Sequence, residues 1–388
     1  MSRSMIGADR LEALAAFRRA VHRMPETGFA VDATADCIAE RLRAAGLTVT
    51  TGVGGSGVVA TLRRGQGMRA VGLRADLDAL PIEEANTFAH RSRVPGRFHG
   101  CGHDGHAAML LGAALQLAEQ GEFDGTVQFV FQPDEESGRG AQAMIEDGLF
   151  ERFPMDAIYG LHNLPMLPLG TFATQAGALT AFEELFEIRL QGRGGHASAP
   201  ERTADPLMAA AQIVLGLQTI VSRALPPGEH GVVSVTEFVT DGARNVIPST
   251  VTIRGDARGY SDAVSDRVER RMREIVAGVA AAHGVTAEVC YAREFEPLVN
   301  SEAEVRCAVA AARAIPGSRV DEACGKVGFS EDFARFLRYR PGCFVLMGNG
   351  TQGHHGAPLH NPHYDFNDAA LAFGAEYWVR LATQVLGS

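Results

Sequence analysis

No stretch of this sequence stays apolar long enough to span a bilayer, which takes about 20 predominantly apolar residues in a helix. The opening residues, Met1 to Arg10, lack the apolar core of a signal peptide. Basic residues are in the minority: 36 Lys and Arg stand against 46 Asp and Glu, a net charge of −10. A nucleic-acid binder needs a basic stripe and an anionic membrane attracts polybasic segments, so neither is expected as a partner. The six cysteines (Cys37, Cys101, Cys290, Cys307, Cys324, Cys343) have no framework spacing and read as buried or free thiols of a reducing compartment. A cytoplasmic soluble protein is the expectation.

Several catalytic signatures are also missing. There is no G-x-S-x-G elbow for a nucleophilic serine. The glycine-rich run Gly192 to Pro200 lacks the G-K-[ST] ending of a phosphate loop. Gly52-Val53-Gly54-Gly55-Ser56-Gly57 matches G-x-G-x-x-G, but a dinucleotide site needs a helix next. Strand-like Val58-Val59-Ala60-Thr61-Leu62 follows instead, so a hairpin loop is expected. Internal repeats and low-complexity tracts are absent.

What is present is a set of strand-like runs that end in metal-binding side chains. Val71 to Ala75 runs into Asp76 and Asp78, Val127 to Phe131 into Asp134-Glu135-Glu136, and Ala157 to Leu161 into His162. Between the first two lies Cys101-Gly102-His103-Asp104-Gly105-His106. Functional crevices of open α/β sheets form beyond the carboxyl ends of the strands, so these residues point to a metal site at one sheet edge. Helical spacing over Ala8–His22, His103–Gln120 and Gly138–Ile145 alternates with the strands, which predicts a mainly parallel α/β sheet.

From about Phe182 the pattern changes. A strand over Phe182–Leu190, a helix opened by Asp205-Pro206, strands over Gly231–Val239 and Val251–Ala257, a helix over Ser261–His283 and a strand over Val285–Tyr291 give β-α-β-β-α-β, a ferredoxin-like unit. The expected organisation is a first domain from residues 1–180 and 292–388 with a second domain inserted at 181–291. A chain of 388 residues is long enough for two such cores.

Thiolate and imidazole both suit zinc and similar metals. His103 and His106 lie one turn apart, so only one need face the site. Adjacent carboxylates after a buried strand can divide their work, one ligating metal and the other moving a proton. Asp78 can orient a ligand from behind. Composition alone does not choose among His354, His355, His360 and His363.

The ordered motifs RADLDALP from Arg74, CGHDGH from Cys101, FQPDEE from Phe131, GLHNLP from Gly160, GRGGHASAP from Gly192, NVIPST from Asn245, SEDF from Ser330 and LHNPHYDFND from Leu359 resemble the metal-dependent aminoacylase and carboxypeptidase superfamily. The likeness is strongest to its hippurate hydrolase and amino-acid-conjugate amidohydrolase branch. The resemblance implies two divalent metal ions per subunit, with zinc the first expectation and manganese, cobalt or nickel the others. It implies Cys101, His103, Glu136, His162 and His360 as ligands, Cys101 as the bridge and Glu135 as general base and acid. It implies that His196 polarises the scissile carbonyl, reaching a partner subunit's site, and that Asn245 and Arg258 hold the substrate carboxylate. It implies that the first domain is catalytic and the inserted one its lid, with a homodimer formed through the inserted domain. The expected substrate is a small N-acyl or N-aroyl amino acid. A carboxypeptidase or dipeptidase is the alternative, and a non-catalytic conjugate-binding protein a remoter one.

The chain departs from the branch's usual pattern at three places. Asp134 stands where alanine is usual, placing charge beside Glu135. Glu201 replaces a histidine after Pro200. Phe329 replaces a small residue, and with Phe182 it is expected to shape an acyl or side-chain pocket.

Overall fold

The computed structural model describes residues 6–387; Met1 to Met5, half of the stretch read for a leader, lie outside the described residues. Two compact units emerge: Met1–Leu179, Val299–Gly325 and Asp332–Ser388 form one, and Thr180–Leu298 with Lys326–Glu331 the other.

The first unit is built on an eight-stranded sheet. Its spatial order is Thr48–Val53, Gly57–Arg64, Gly125–Gln132, Ala70–Asp76, Ala157–Pro165, Gly342–Gly350, Thr171–Ala173 and Arg319–Asp321. The middle four strands, Gly125–Gln132 through Gly342–Gly350, pair in parallel. Antiparallel pairs flank them. The parallel strands are buried along almost their whole length, as strands covered by helices on both faces must be. The helices His103–Gln120 and Ala370–Leu386 pack together with their apolar sides in one core. That contact is close: a Cβ on Gly374 would sit 1.9 Å from Met109 Sδ.

The G-x-G-x-x-G run closes an antiparallel hairpin between Thr48–Val53 and Gly57–Arg64. Gly52, Gly54 and Gly55 all have positive φ, the conformations glycine adopts without steric cost.

The second unit has four antiparallel strands in the order Gly231–Thr240, Thr250–Gly259, Phe182–Gln191, Thr286–Phe295. Taken from the last, the order is 4-1-3-2 of a βαββαβ chain. Helices Pro206–Thr219 and Asp262–His283 pack on one face of this sheet. Asp205 caps the first helix by accepting Leu207 N–H at 2.8 Å, and Ser261 caps the second.

Two boundaries differ from the sequence reading. The last strand runs to Phe295, still paired with Glu183, so residues 292–298 belong to this unit rather than to the catalytic one. The segment 326–331 joins it as well, tethered by Tyr260 Oη to the Val327 carbonyl at 3.2 Å and by Arg258 to Ser330 Oγ at 3.0 Å. One helix also exceeds the apolar runs read from sequence. Pro206–Ala224 is long and apolar enough to cross a membrane by length and composition, at mean hydropathy 1.4. Its Ala209, Ala210, Ile213, Leu217 and Ile220 are buried in the core of this unit.

Candidate metal centre

The site lies where the parallel strands end. Asp76 closes one strand, Gln132 and the turn to Glu136 follow the next, and His162 sits in the third. Cys101 and His103 enter at the start of the helix His103–Gln120. Gly102 makes that entry with φ 89°, and a Cβ there would lie 2.5 Å from both Asn163 Nδ2 and Tyr364 Oη.

Among the donor triads of the described residues, two share Cys101. Cys101, His103 and His162 bring one ligand atom each to within 4.8 Å of one another, and so do Cys101, Glu136 and His360. Cys101 belongs to both. Its Sγ is 3.3 Å from His162 Nε2, and His360 Nε2 is 3.5 Å from Glu136 Oε2. His360 has φ 64° and Asp134 φ 50°, conformations that side chains other than glycine adopt at a cost and that cluster at functional sites.

A cation fits this arrangement. Both ring nitrogens of His103 and Oε1 of Glu136 are buried without a hydrogen-bond partner, which is costly unless something else binds them. Burial opposes charge on His103, yet Asp76, Asp78 and Glu136 together lift its pKa to about 10. Burial raises Glu136 to about 8, against the pull of His103. The pocket has more carboxylate than it can neutralise and calls for positive charge. His162 is pushed well down, by burial first and then His106. His360 is lowered by burial and His103. Both therefore present neutral imidazoles, the form that ligates metal. His162 Nδ1 lies 2.6 Å from the Asn163 carbonyl and donates to it, which turns Nε2 toward Cys101 Sγ.

Asp78 accepts the backbone N–H of Glu135 at 3.0 Å through one oxygen and that of Glu136 at 3.2 Å through the other. Its Oδ1 is also 3.5 Å from His103 Nδ1. Glu135 is buried, and its Oε1 faces the Asp332 N–H at 3.4 Å. Asp134, the unusual neighbour, turns to Arg139 Nε at 3.2 Å. Of the four late histidines, His354 Nδ1 bonds the His363 carbonyl and His355 Nδ1 the Asp365 carbonyl, so only His360 joins a donor cluster.

The remaining predicted residues lie on the second unit. His196 is exposed, and the Ser198 N–H donates to its Nδ1 at 3.1 Å. The neutral ring then carries its hydrogen on Nε2, a donor suited to an oxyanion. Asn245 is exposed, its carbonyl accepting from Ala197 N–H. Arg258 is paired with Glu183 at 2.7 Å and Asp256 at 3.0 Å. Phe182 does not line a pocket: it is 1% exposed in the core beneath Gly259.

Sequence reasoning missed a buried frame under the donor triads. His106 Nδ1 bonds Asp76 at 2.6 Å, and His106 Nε2 accepts the Asn163 N–H at 2.9 Å. Asn163 Nδ2 holds the Cys101 carbonyl at 2.7 Å, and Tyr364 Oη donates to Asn163 Oδ1. Arg74 is fully buried between Asp76 (2.7 Å), Gln132 (2.8 Å) and Asp332 (3.0 Å). A signal for part of it existed, since Arg74 and Asp76 interrupt an otherwise apolar strand.

The family model described as peptidase family M20/M25/M40 matches residues 72–384. The chain belongs to that family. As an M20-family protein it is a metal-dependent amide hydrolase. This M20 chain is 36% identical over 370 residues to the hippurate hydrolase of Campylobacter jejuni, covering 95% of each. It is 36% identical over 374 residues to IAA-amino acid hydrolase ILR1-like 2 of Arabidopsis thaliana, covering 95% of this chain and 84% of the relative. Its fold matches that of Bacillus subtilis YXEP, a dinuclear metal-binding peptidase of the M20 family. The TM-score is 0.86 at 31% identity, over 98% of this chain and 99% of that one.

Proposed function

We propose that this enzyme hydrolyses the amide bond of N-acyl or N-aroyl amino acids, releasing a carboxylic acid and a free amino acid. The observation that carries the reading is the pair of donor triads sharing Cys101, with the carboxylate of Glu135 next to ligand Glu136. The similarity along nearly the whole length to a hippurate hydrolase and an amino-acid-conjugate hydrolase supports the substrate class.

In this reading Cys101, His103, Glu136, His162 and His360 hold two divalent ions, zinc before manganese, cobalt or nickel. When bound, the ions supply an acidified water and Lewis-acid polarisation. Glu135 accepts a proton and delivers it to the leaving nitrogen, which departs poorly unless protonated. Asp78 holds the backbone of the Glu pair so that one carboxylate ligates while the other moves the proton. His196 donates its Nε2–H to the developing oxyanion, worth roughly 100-fold in rate. Asn245 and Arg258 hold the substrate carboxylate.

We further assign a homodimer through the inserted domain. The outward face of its helix carries exposed Leu207, Met208, Leu215 and Val221, and the edge strand carries exposed Phe238 and Val239. A reducing cytoplasm suits an enzyme that ligates metal through the thiolate of Cys101.

The test is amino-acid release by metal-loaded protein from benzoyl-glycine, acetyl- and indoleacetyl-amino acids and simple dipeptides, with Glu135→Gln as control. Turnover of the acylated substrates that disappears in the control is expected. Turnover of dipeptides alone would replace this reading with a small-peptide hydrolase, which the peptidase description of the family model favours as the second reading.

A further inference from the structure

The inserted unit contains a cleft of about 640 Å³ whose wall includes His230, Val232, Arg258, Tyr260, Lys326 and Gly328. That volume falls in the range of small-molecule sites. All of its lining belongs to the second unit.

The cations in this cleft are not equivalent. Arg258 already pairs with Glu183 and Asp256, so any carboxylate it holds shares the guanidinium with them. Lys326 is exposed and has no carboxylate within 4.0 Å among the described residues; its ammonium lies 4.9 Å from the centre of the Tyr260 ring. His230, in the same lining, is exposed and likewise makes no ion pair among the described residues. Tyr260 is held in place by its bond to the Val327 carbonyl, which fixes the strand edge against the segment carrying Lys326. Val232, 51% exposed, adds apolar surface to the wall. An unpaired ammonium at the edge of an apolar and aromatic wall matches a ligand with an anionic head and an apolar body.

We propose that this cleft binds the carboxylate head of an aryl or alkyl carboxylic acid, with Lys326 as the pairing cation and Tyr260 and Val232 as the walls for its apolar body. Two sources share this chemistry: the substrate's carboxylate, which Lys326 would then hold together with Arg258 of the same cleft, and the free acid released by hydrolysis. The choice between them rests on the amidohydrolase reading; the site does not.

Lys326 is the single lysine in the sequence, which gives a direct probe. Reductive methylation with 13C-formaldehyde of the full-length, metal-loaded protein labels Lys326 and the α-amino group and keeps the lysine charge. Titration with benzoate should move the Lys326 resonance saturably and leave the α-amino resonance in place. Benzyl alcohol, which has the ring without the charge, should move neither. Val232→Asp, a change at an exposed position, should weaken the benzoate titration roughly tenfold or more, the effect of a charge-assisted contact opposed. A Lys326 resonance that ignores benzoate, follows benzyl alcohol equally, or titrates identically in the Val232→Asp variant would overturn the proposal.

Kinetics then distinguish the sources. Lys326→Met raising KM for benzoyl-glycine at unchanged kcat identifies the substrate's own carboxylate. Lys326→Met raising only the inhibition constant of benzoate identifies the released acid. A Lys326→Met enzyme altered in neither overturns both. If benzoyl-glycine is not hydrolysed by the unmodified enzyme, the amidohydrolase reading fails while the resonance titration still decides the site.

Discussion

His106 Nδ1 lies 2.6 Å from Asp76 Oδ1 in a fully buried pair. The Asn163 N–H occupies the other ring nitrogen, so His106 is the neutral tautomer that donates to Asp76. This histidine is no spare ligand. It holds the peptide beside His162, and Asn163 in turn holds the carbonyl of Cys101.

Removing that support should loosen the ligands without deleting one. His106→Ala is expected to weaken metal binding by roughly 10- to 100-fold, the usual cost of losing a group that orients ligands. Competition against a chromophoric chelator measures it. Metal affinity equal to that of the unchanged protein would rule out the positioning role.

Asp78 uses both oxygens on the backbone of the glutamate pair. Asp78→Asn turns one acceptor into a donor facing an N–H. The loss of a charged acceptor is worth about 1.5–3 kcal/mol, or roughly 10- to 100-fold in rate. The fall should appear in kcat more than in KM, since Asp78 is placed to position the proton carrier. A change confined to KM would contradict this assignment.

The metal-free protein should lose stability as pH rises from 7 to 9. His103 is raised from 6.5 to about 10, and Glu136 from 4.5 to about 8. For each, the folded state holds a proton that the unfolded state has released. The stability from each is complete below its unfolded value and is lost as pH climbs through its folded one. Asp76 and Asp104, which are depressed, act below about pH 4 and leave this window alone. Melting scans should show the decline, and His103→Asn should flatten it. Loading metal near neutral pH should release protons, visible as heats that vary with the ionisation enthalpy of the buffer.

Arg18 is fully buried and pairs with Asp104 at 2.8 Å, with Asp365, and with Asp368 at 3.4 Å. It ties the first helix to the helix that carries His103 and to the last loop. Arg18→Met strands these carboxylates and should cost about 3–5 kcal/mol, as breaking a buried ion pair does. Urea unfolding reads this directly. A cost below 1 kcal/mol would mean that water already reaches the cluster.

Much of this protein is legible without its structure. The helix His103–Gln120 and the strand Gly125–Gln132 keep the limits that their spacing predicts, because each carries its own periodicity and termination. The hairpin at Gly52–Gly57 is local for the same reason. The strand-end donors Glu136 and His162 were legible because chain order alone brings strand ends to one edge, whereas Cys101, His103 and His360 were chosen as ligands through the resemblance of the ordered motifs.

Tertiary structure decided the rest. His103 and His106 are one turn apart on one helix, and only packing against Asp76 and Asn163 turns His106 into a support while His103 faces the carboxylates. Arg74, Asp332 and Arg18 find their partners across roughly 100 to 350 residues of chain. Phe182, read as a pocket wall, is core because Gly259 opposite leaves room for its ring. The segment 326–331 joins the inserted unit through contacts to Arg258 and Tyr260 that no periodicity announces. Local sequence sets which bonds a segment can make with itself, whereas the partner of a buried charge is set by which distant segments the fold brings within about 3 Å.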